Sequence, residues 1–213
     1  MTYEALFERL ARLAYFDLAM VAQLFGEPRG TLRVQLHRWA SKGKLWSLKR
    51  GMYAWPESHR LAPLNPAALA NALHAPSYLS GLWALGFYGL IPEQVVTYTS
   101  VTSRVPRRYE NKAGTYEYRH VKAAAFFGYQ TIEMDGVPVR VARPEKALLD
   151  YWHLAEGPWT PERMAAMRFQ HHDGVNSRRL AQFARRFASP RLLAAVRVWE
   201  EGGREAGEGT VDV

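Results

Sequence analysis

Between Asp17 and Pro56 the sequence sets a short helix, a tight turn, a basic helix and a basic hairpin in close succession. Asp17 stands where an N-cap belongs, ahead of Leu18-Ala19-Met20-Val21, and the first helix is read over Asp17–Phe25. Gly26 suits a helix end, and Pro28 suits a helix start, where its missing N–H is not needed. A second helix follows over Arg29–Lys42. Two strands come next, Leu45–Leu48 and Met52–Trp55, joined by Lys49-Arg50-Gly51. No other stretch restricts the fold as much. Helix, turn, basic helix and hairpin in this order predict a winged helix-turn-helix.

The spacing also orients the basic helix. Leu32, Leu36, Trp39 and Ala40 share one face, which must pack inward. Arg29, Gly30, Thr31, Arg33, Val34, His37 and Arg38 are left on the flanks and the outer surface. A helix enters the DNA major groove and reads with its N-terminal half, where arginine pairs with guanine and threonine touches a thymine methyl. The expected base contacts are therefore Arg29, Thr31 and Arg33. Arg38 and Lys42 are expected at phosphates, and His37 is counted among the DNA-binding residues. Lys49-Arg50-Gly51 is expected to be a wing tip, with Lys49 and Arg50 clamping the DNA backbone. The competing reading is a solvated surface helix, and winged helices also bind protein.

A further helix is predicted beneath this motif over residues 3–13, from Tyr3, Leu6, Phe7, Leu10 and Leu13. Residues 57–65 read as a linker. Beyond it, helical patterns at 66–74 and 79–88 precede strands at Val95–Thr102, Thr115–Val121, Tyr129–Met134 and Val137–Ala142. Asp135-Gly136 turns the last pair into a hairpin. Pro144 opens a helix over Glu145–Leu154, Thr160-Pro161-Glu162 caps another, and two more are read at 176–187 and 190–200. The expected class is α+β, with a winged helix-turn-helix over 1–58, a mixed α/β domain ending in helices over 59–201, and a disordered glycine-rich tail over 202–213.

Composition narrows the partners. Twenty-eight Lys and Arg against 20 Asp and Glu give a formal charge of +8, which favours a polyanion. The absence of cysteine excludes disulfides, thiolate metal sites and cysteine nucleophiles. No signal peptide is read at the start, and the least charged stretch, Leu61 to Ser103, is broken by proline and glycine. A cytoplasmic protein with no membrane partner is expected. A second basic cluster, Arg104, Arg107, Arg108 and Lys112, reads either as an auxiliary phosphate-binding patch or as a solvated loop. Arg178-Arg179 and Arg185-Arg186 read as a solvated helix face.

Catalytic patterns are weak. His171-His172-Asp173 lacks a spaced third ligand, so no metal is expected. Asp135 is explained by its turn, and Glu145 and Lys146 are adjacent, unlike an acid-x-Lys nuclease triplet. No phosphate loop or nucleophile elbow is present. No catalytic residue and no cofactor are expected.

One ordered series of phrases runs from Pro76-Ser77-Tyr78-Leu79-Ser80 through Ala84-Leu85-Gly86-Phe87-Tyr88-Gly89-Leu90-Ile91-Pro92 and Tyr98-Thr99-Ser100-Val101-Thr102. It continues with Tyr116-Glu117-Tyr118-Arg119-His120 and Phe127-Gly128-Tyr129, and ends at Val141-Ala142-Arg143-Pro144-Glu145-Lys146-Ala147-Leu148-Leu149-Asp150. With Lys49-Arg50-Gly51-Met52-Tyr53 before it, this series resembles the AbiEi-type antitoxins of bacterial abortive-infection systems over about residues 15–155. The resemblance implies a repressor of its own operon, bound to inverted-repeat double-stranded DNA. It also implies an antitoxin role against a nucleotidyltransferase-like toxin. The alternative is a protein- or RNA-interaction antitoxin module in which DNA binding is secondary. Physically, Pro144-Glu145-Lys146 reads as a helix start with Glu145 near the helix dipole.

Overall fold

The computed structural model describes residues 1–208 and is mixed α+β. The N-terminal body comprises α1 (Tyr3–Leu10), β1 (Phe16–Asp17), α2 (Leu18–Phe25), α3 (Arg29–Ser41), β2 (Trp46–Lys49) and β3 (Met52–Ala54). Local chemistry sets its boundaries. The Thr2 hydroxyl accepts the Ala5 amide at the start of α1, and the Asp17 carboxylate accepts the Met20 amide at 2.8 Å at the start of α2. Gly26 ends α2 at φ 66°, in the left-handed region where a Cβ is unwelcome. The three strands form an antiparallel sheet in the order β1-β3-β2. Leu6, Leu10, Phe16, Val21, Leu32, Leu36, Leu45, Tyr53 and Trp55 make its core. The Trp55 indole anchors this core by donating to the Leu10 carbonyl at 3.0 Å. At two residues β1 is too short for alternation to signal a strand at Phe16 in the sequence.

The larger body contains α4 (Pro66–Leu73), β4 (Ser77–Leu79), α5 (Gly81–Phe87), β5 (Thr97–Thr102), β6 (Arg107–Asn111) and β7 (Gly114–His120). It continues with β8 (Tyr129–Met134), β9 (Val137–Ala142), α6 (Pro144–Leu154), α7 (Pro161–Ala166), α8 (Ser177–Phe187) and α9 (Pro190–Glu208). Its sheet runs β6-β7-β5-β4-β9-β8, with β5/β7 and β4/β9 parallel and the other pairs antiparallel. The expected β8–β9 hairpin turns at Asp135-Gly136, both at positive φ.

Three expectations need correction. The helix expected over 79–88 begins only at Gly81, because Ser77–Leu79 is a fully buried strand wedged between β5 and β9. The stretch carrying Arg107 and Arg108 is an edge strand. Charged residues hide an edge strand from pattern reading, and they also protect it from pairing with another chain. The tail expected to be disordered from Gly202 is helical through Glu208, since propagating an existing helix over Glu201, Arg204, Glu205 and Ala206 is cheap despite the glycines. The rest of that tail, 209–213, lies outside the described residues.

The two bodies share apolar contact. All three residues of β3 are buried, and alternation sends them to opposite faces. Tyr53 enters the small core, whereas Met52 and Ala54, with Leu48 of β2, join the large core of Leu69, Leu73, Tyr78, Tyr118 and Trp152. The Asn111 side-chain amide crosses from the edge strand to donate to the Leu48 carbonyl at 2.9 Å. Hydrophobic packing therefore spans the boundary expected at residue 58. Thermal unfolding should follow one transition seen alike by probes in both bodies. Leu48→Ala should lower stability by about 2–5 kcal/mol. Two resolved calorimetric transitions in the unaltered chain would contradict this coupling.

Candidate nucleic-acid interface

α3 presents three longitudinal rows beside its buried stripe of Leu32 and Leu36. The first row is Arg29, Arg33 and His37, spaced i, i+4, i+8. It faces the hairpin and lines a groove of about 850 Å³ with Ser47, Arg50, Gly51 and Tyr53. Arg33 is close enough to Tyr53 to oppose the upward push that burial exerts on the phenol. The outermost row holds Gly30 and Val34, with Arg38 beside it, and the far flank holds Thr31 and Lys42. All of these are exposed. The first turn of α3 carries no acid and no side-chain cap, so its free amides add partial positive charge. Asp17 is the acid lining the groove, and its carboxylate is already engaged as the N-cap of α2. The hairpin tip is fixed by the Leu18 amide, which donates to the Gly51 carbonyl at 2.9 Å. Gly51 sits at φ 78°, which favours glycine.

The expected site residues separate into groups. Arg29, Arg33, His37, Lys49 and Arg50 all line the groove. Thr31, Arg38 and Lys42 stay on α3 but face away from the hairpin. Lys49 departs from expectation. Its ammonium turns back to the larger body and donates to the Leu73 carbonyl at 2.7 Å and the Ala72 carbonyl at 3.5 Å. The last carbonyls of α4 are the negative end of a helix, so they attract a cation that would otherwise face solvent. Burial lowers the Lys49 ammonium from its ordinary range and Arg104 adds to this, while Asp17 opposes it.

The auxiliary cluster also divides. Arg104 donates to the Ala75 carbonyl at 3.0 Å. Arg108 faces Glu117 across the β6–β7 pair and lies 3.9 Å from Glu110, so its charge is locally balanced. Arg107 is exposed, and Lys112, just past the end of β6, lies in a surface hollow with Gly43 and Trp46 of the N-terminal body. Two arginines expected on a solvated face of α8 are engaged. Arg179 reaches the buried Glu145 carboxylate at 3.4 Å, and the Arg186 guanidinium lies 3.9 Å from the centre of the Phe127 ring.

Adjacent to the groove, His74 ends α4 and donates from Nε2 to the Val105 carbonyl at 3.0 Å. Burial lowers its basicity. The Val105 carbonyl opposes that, and Arg104, Lys49 and Arg107 reinforce it. His153 is lowered as well, first by burial. For both, the folded chain binds protons less readily than the unfolded chain. Their contribution is intact above about pH 6.5 and is lost as pH falls below it. The thermal midpoint should start to drop below about pH 6.5, well above the carboxylate range. His74→Gln, which keeps a donor, should shrink the drop. A midpoint flat from pH 7 to 5 would contradict this.

The helix start at Pro144 conceals a buried polar cluster that sequence reading missed. Lys146 and Asp150 are fully buried and paired, and Tyr78 and Ser80 donate to the same carboxylate at 3.0 and 2.8 Å. The rings of Tyr78, Phe127 and Phe187 surround the Lys146 ammonium. Burial lowers that ammonium, and Asp150 opposes the effect. Burial, then Asp150, raises the Tyr78 phenol far above its usual range. The i, i+4 spacing was the available signal, but it suits an exposed pair equally well. Asp150→Ala should cost about 3–5 kcal/mol by stranding a buried cation, and a Lys146→Met/Asp150→Asn double variant should recover part of the loss in denaturant unfolding. An unchanged midpoint for Asp150→Ala would refute the burial.

No protein-family model matches the chain, and no curated protein matches it in sequence.

Proposed function

We propose that the chain is a double-stranded-DNA-binding transcriptional repressor of AbiEi type, acting in the cytoplasm. In this reading it regulates its own toxin–antitoxin operon and serves as antitoxin to a nucleotidyltransferase-like toxin. The observation carrying the DNA half is the groove between α3 and the hairpin, where Arg29, Arg33, His37 and Arg50 converge beside the exposed Thr31 and Arg38. The order helix–strand–helix–helix–strand–strand, with a β1-β3-β2 sheet, supports a winged helix-turn-helix for this body. α3 is a surface helix with basic residues on every exposed row, suited to the major groove. The antitoxin half rests on the ordered phrases between Pro76 and Asp150.

Lys49 is reassigned in this account. It serves as a cap on α4 that holds the hairpin in position, and Arg50 is left as the hairpin's backbone contact. The larger body supports the hairpin from behind, so its antitoxin role and DNA binding draw on one packed unit.

Fluorescence anisotropy of the full chain on duplex DNA tests this reading. Binding should weaken linearly in log–log terms as salt rises, by about 0.9 per phosphate contact. Arg50→Ala should reduce that slope by about one contact, whereas Lys49→Ala should leave the slope unchanged and lower stability by about 1 kcal/mol. Absence of salt-sensitive duplex binding, with protection from a neighbouring toxin retained, would instead favour the protein- or RNA-interaction module.

A further inference from the structure

Val34 lies at the centre of the outermost row of α3, and its side chain is 58% exposed. It is a β-branched apolar residue flanked by cations, at a position where helix propensity favours almost any other non-glycine choice. One turn earlier stands Gly30. A Cβ there would meet nothing within 4 Å, and its φ is not positive, so neither packing nor backbone geometry requires glycine. Glycine costs up to about 1 kcal/mol relative to alanine in a helix interior, and less at Gly30, the second position of α3. Two residues of low helix propensity therefore occupy the row most open to a partner, followed one turn on by Arg38, so its first two turns present little more than the Val34 side chain.

The rows on either side differ from it. Arg29, Arg33 and His37 face the hairpin and form one wall of the groove with Arg50. Thr31 and Lys42 lie on the far flank, and Arg38 follows Val34 one turn on. A duplex strand running through the groove would place its phosphodiesters against the first row. The base edges would then meet the second.

We infer that α3 divides its labour by row: Arg29, Arg33 and His37 with Arg50 hold one sugar–phosphate strand, and Gly30 and Val34 read base edges, Val34 against the methyl group of a thymine. This rests on the DNA-binding reading above and deepens it. It moves Arg29 and Arg33 from base edges to phosphate. A thymine methyl is the apolar feature of the major groove, and a bare glycine one turn away lets the helix approach closely enough to reach it.

The test begins by selecting duplexes from a random-sequence pool with the full chain, then replaces each thymine of the selected site singly by deoxyuridine, which removes only the methyl. One replacement should weaken the unaltered chain about fourfold, the worth of one methyl-sized group removed from water. Val34→Ala should bind the parent duplex more weakly and be indifferent to that replacement. Arg33→Ala should weaken all duplexes by a similar factor. Because Val34 is exposed, Val34→Ala should keep its thermal midpoint, so weaker binding cannot be ascribed to misfolding. If duplexes are selected but no deoxyuridine matters, or Val34→Ala stays as sensitive as the parent, the row assignment fails while DNA binding stands. If no duplex is enriched or bound at low salt, the DNA reading fails and takes this inference with it.

Discussion

Strand β3 is the element on which the rest depends. Its residues are buried on both sides of the sheet: Tyr53 among the N-terminal helices, Met52 and Ala54 in the core of the larger body. A strand covered on both faces cannot shift by one residue without exchanging its two sets of neighbours. The register therefore fixes the hairpin, and the hairpin fixes Arg50 relative to α3. A freely projecting wing would have to be ordered when it bound. Here Lys49, seated on the α4 carbonyls, and the Asn111 amide on Leu48 hold it in place beforehand.

The cations of this chain do two kinds of work, and net charge does not distinguish them. Arg104, Arg179, Arg186, Lys49 and Lys146 are bound to carbonyls, carboxylates or aromatic faces of the protein itself. Arg29, Arg33, Arg38, Lys42 and Arg50 lie exposed on one small body. Exposed cations also remain on the larger body, among them Arg107, Lys112, Lys122, Arg178, Arg185 and Arg197, so it is the convergence on one groove, and not exposure alone, that sets α3 and the hairpin tip apart. The Lys146–Asp150 pair serves an internal purpose. It fills the space between α6, the aromatic rings and the hydroxyls of Tyr78 and Ser80, and losing either partner would strand the other in an apolar setting.

Where structure is local, the sequence was legible. Leu32 and Leu36 oriented α3, Asp17 and Gly26 bounded α2, and Asp135-Gly136 closed the last hairpin, because each depends on neighbours within a few residues. Failures arose where the deciding partner is remote. Lys49 reads as a wing cation until the end of α4 comes beside it. Arg107 and Arg108 read as a loop because an edge strand needs no apolar alternation. Ser77–Leu79 reads as the front of a helix until β5 and β9 enclose it. The rows of α3 could be drawn from the sequence, but which row meets the hairpin could not, and that decides which arginines face the groove.

The most direct test of the proposed interface is photocrosslinking of the full chain to duplex DNA, with the crosslinked peptides mapped by mass spectrometry. Adducts should concentrate within residues 29–42 and at Arg50, with none on the buried Lys146. Adducts confined to the larger body, with α3 unmarked, would contradict it.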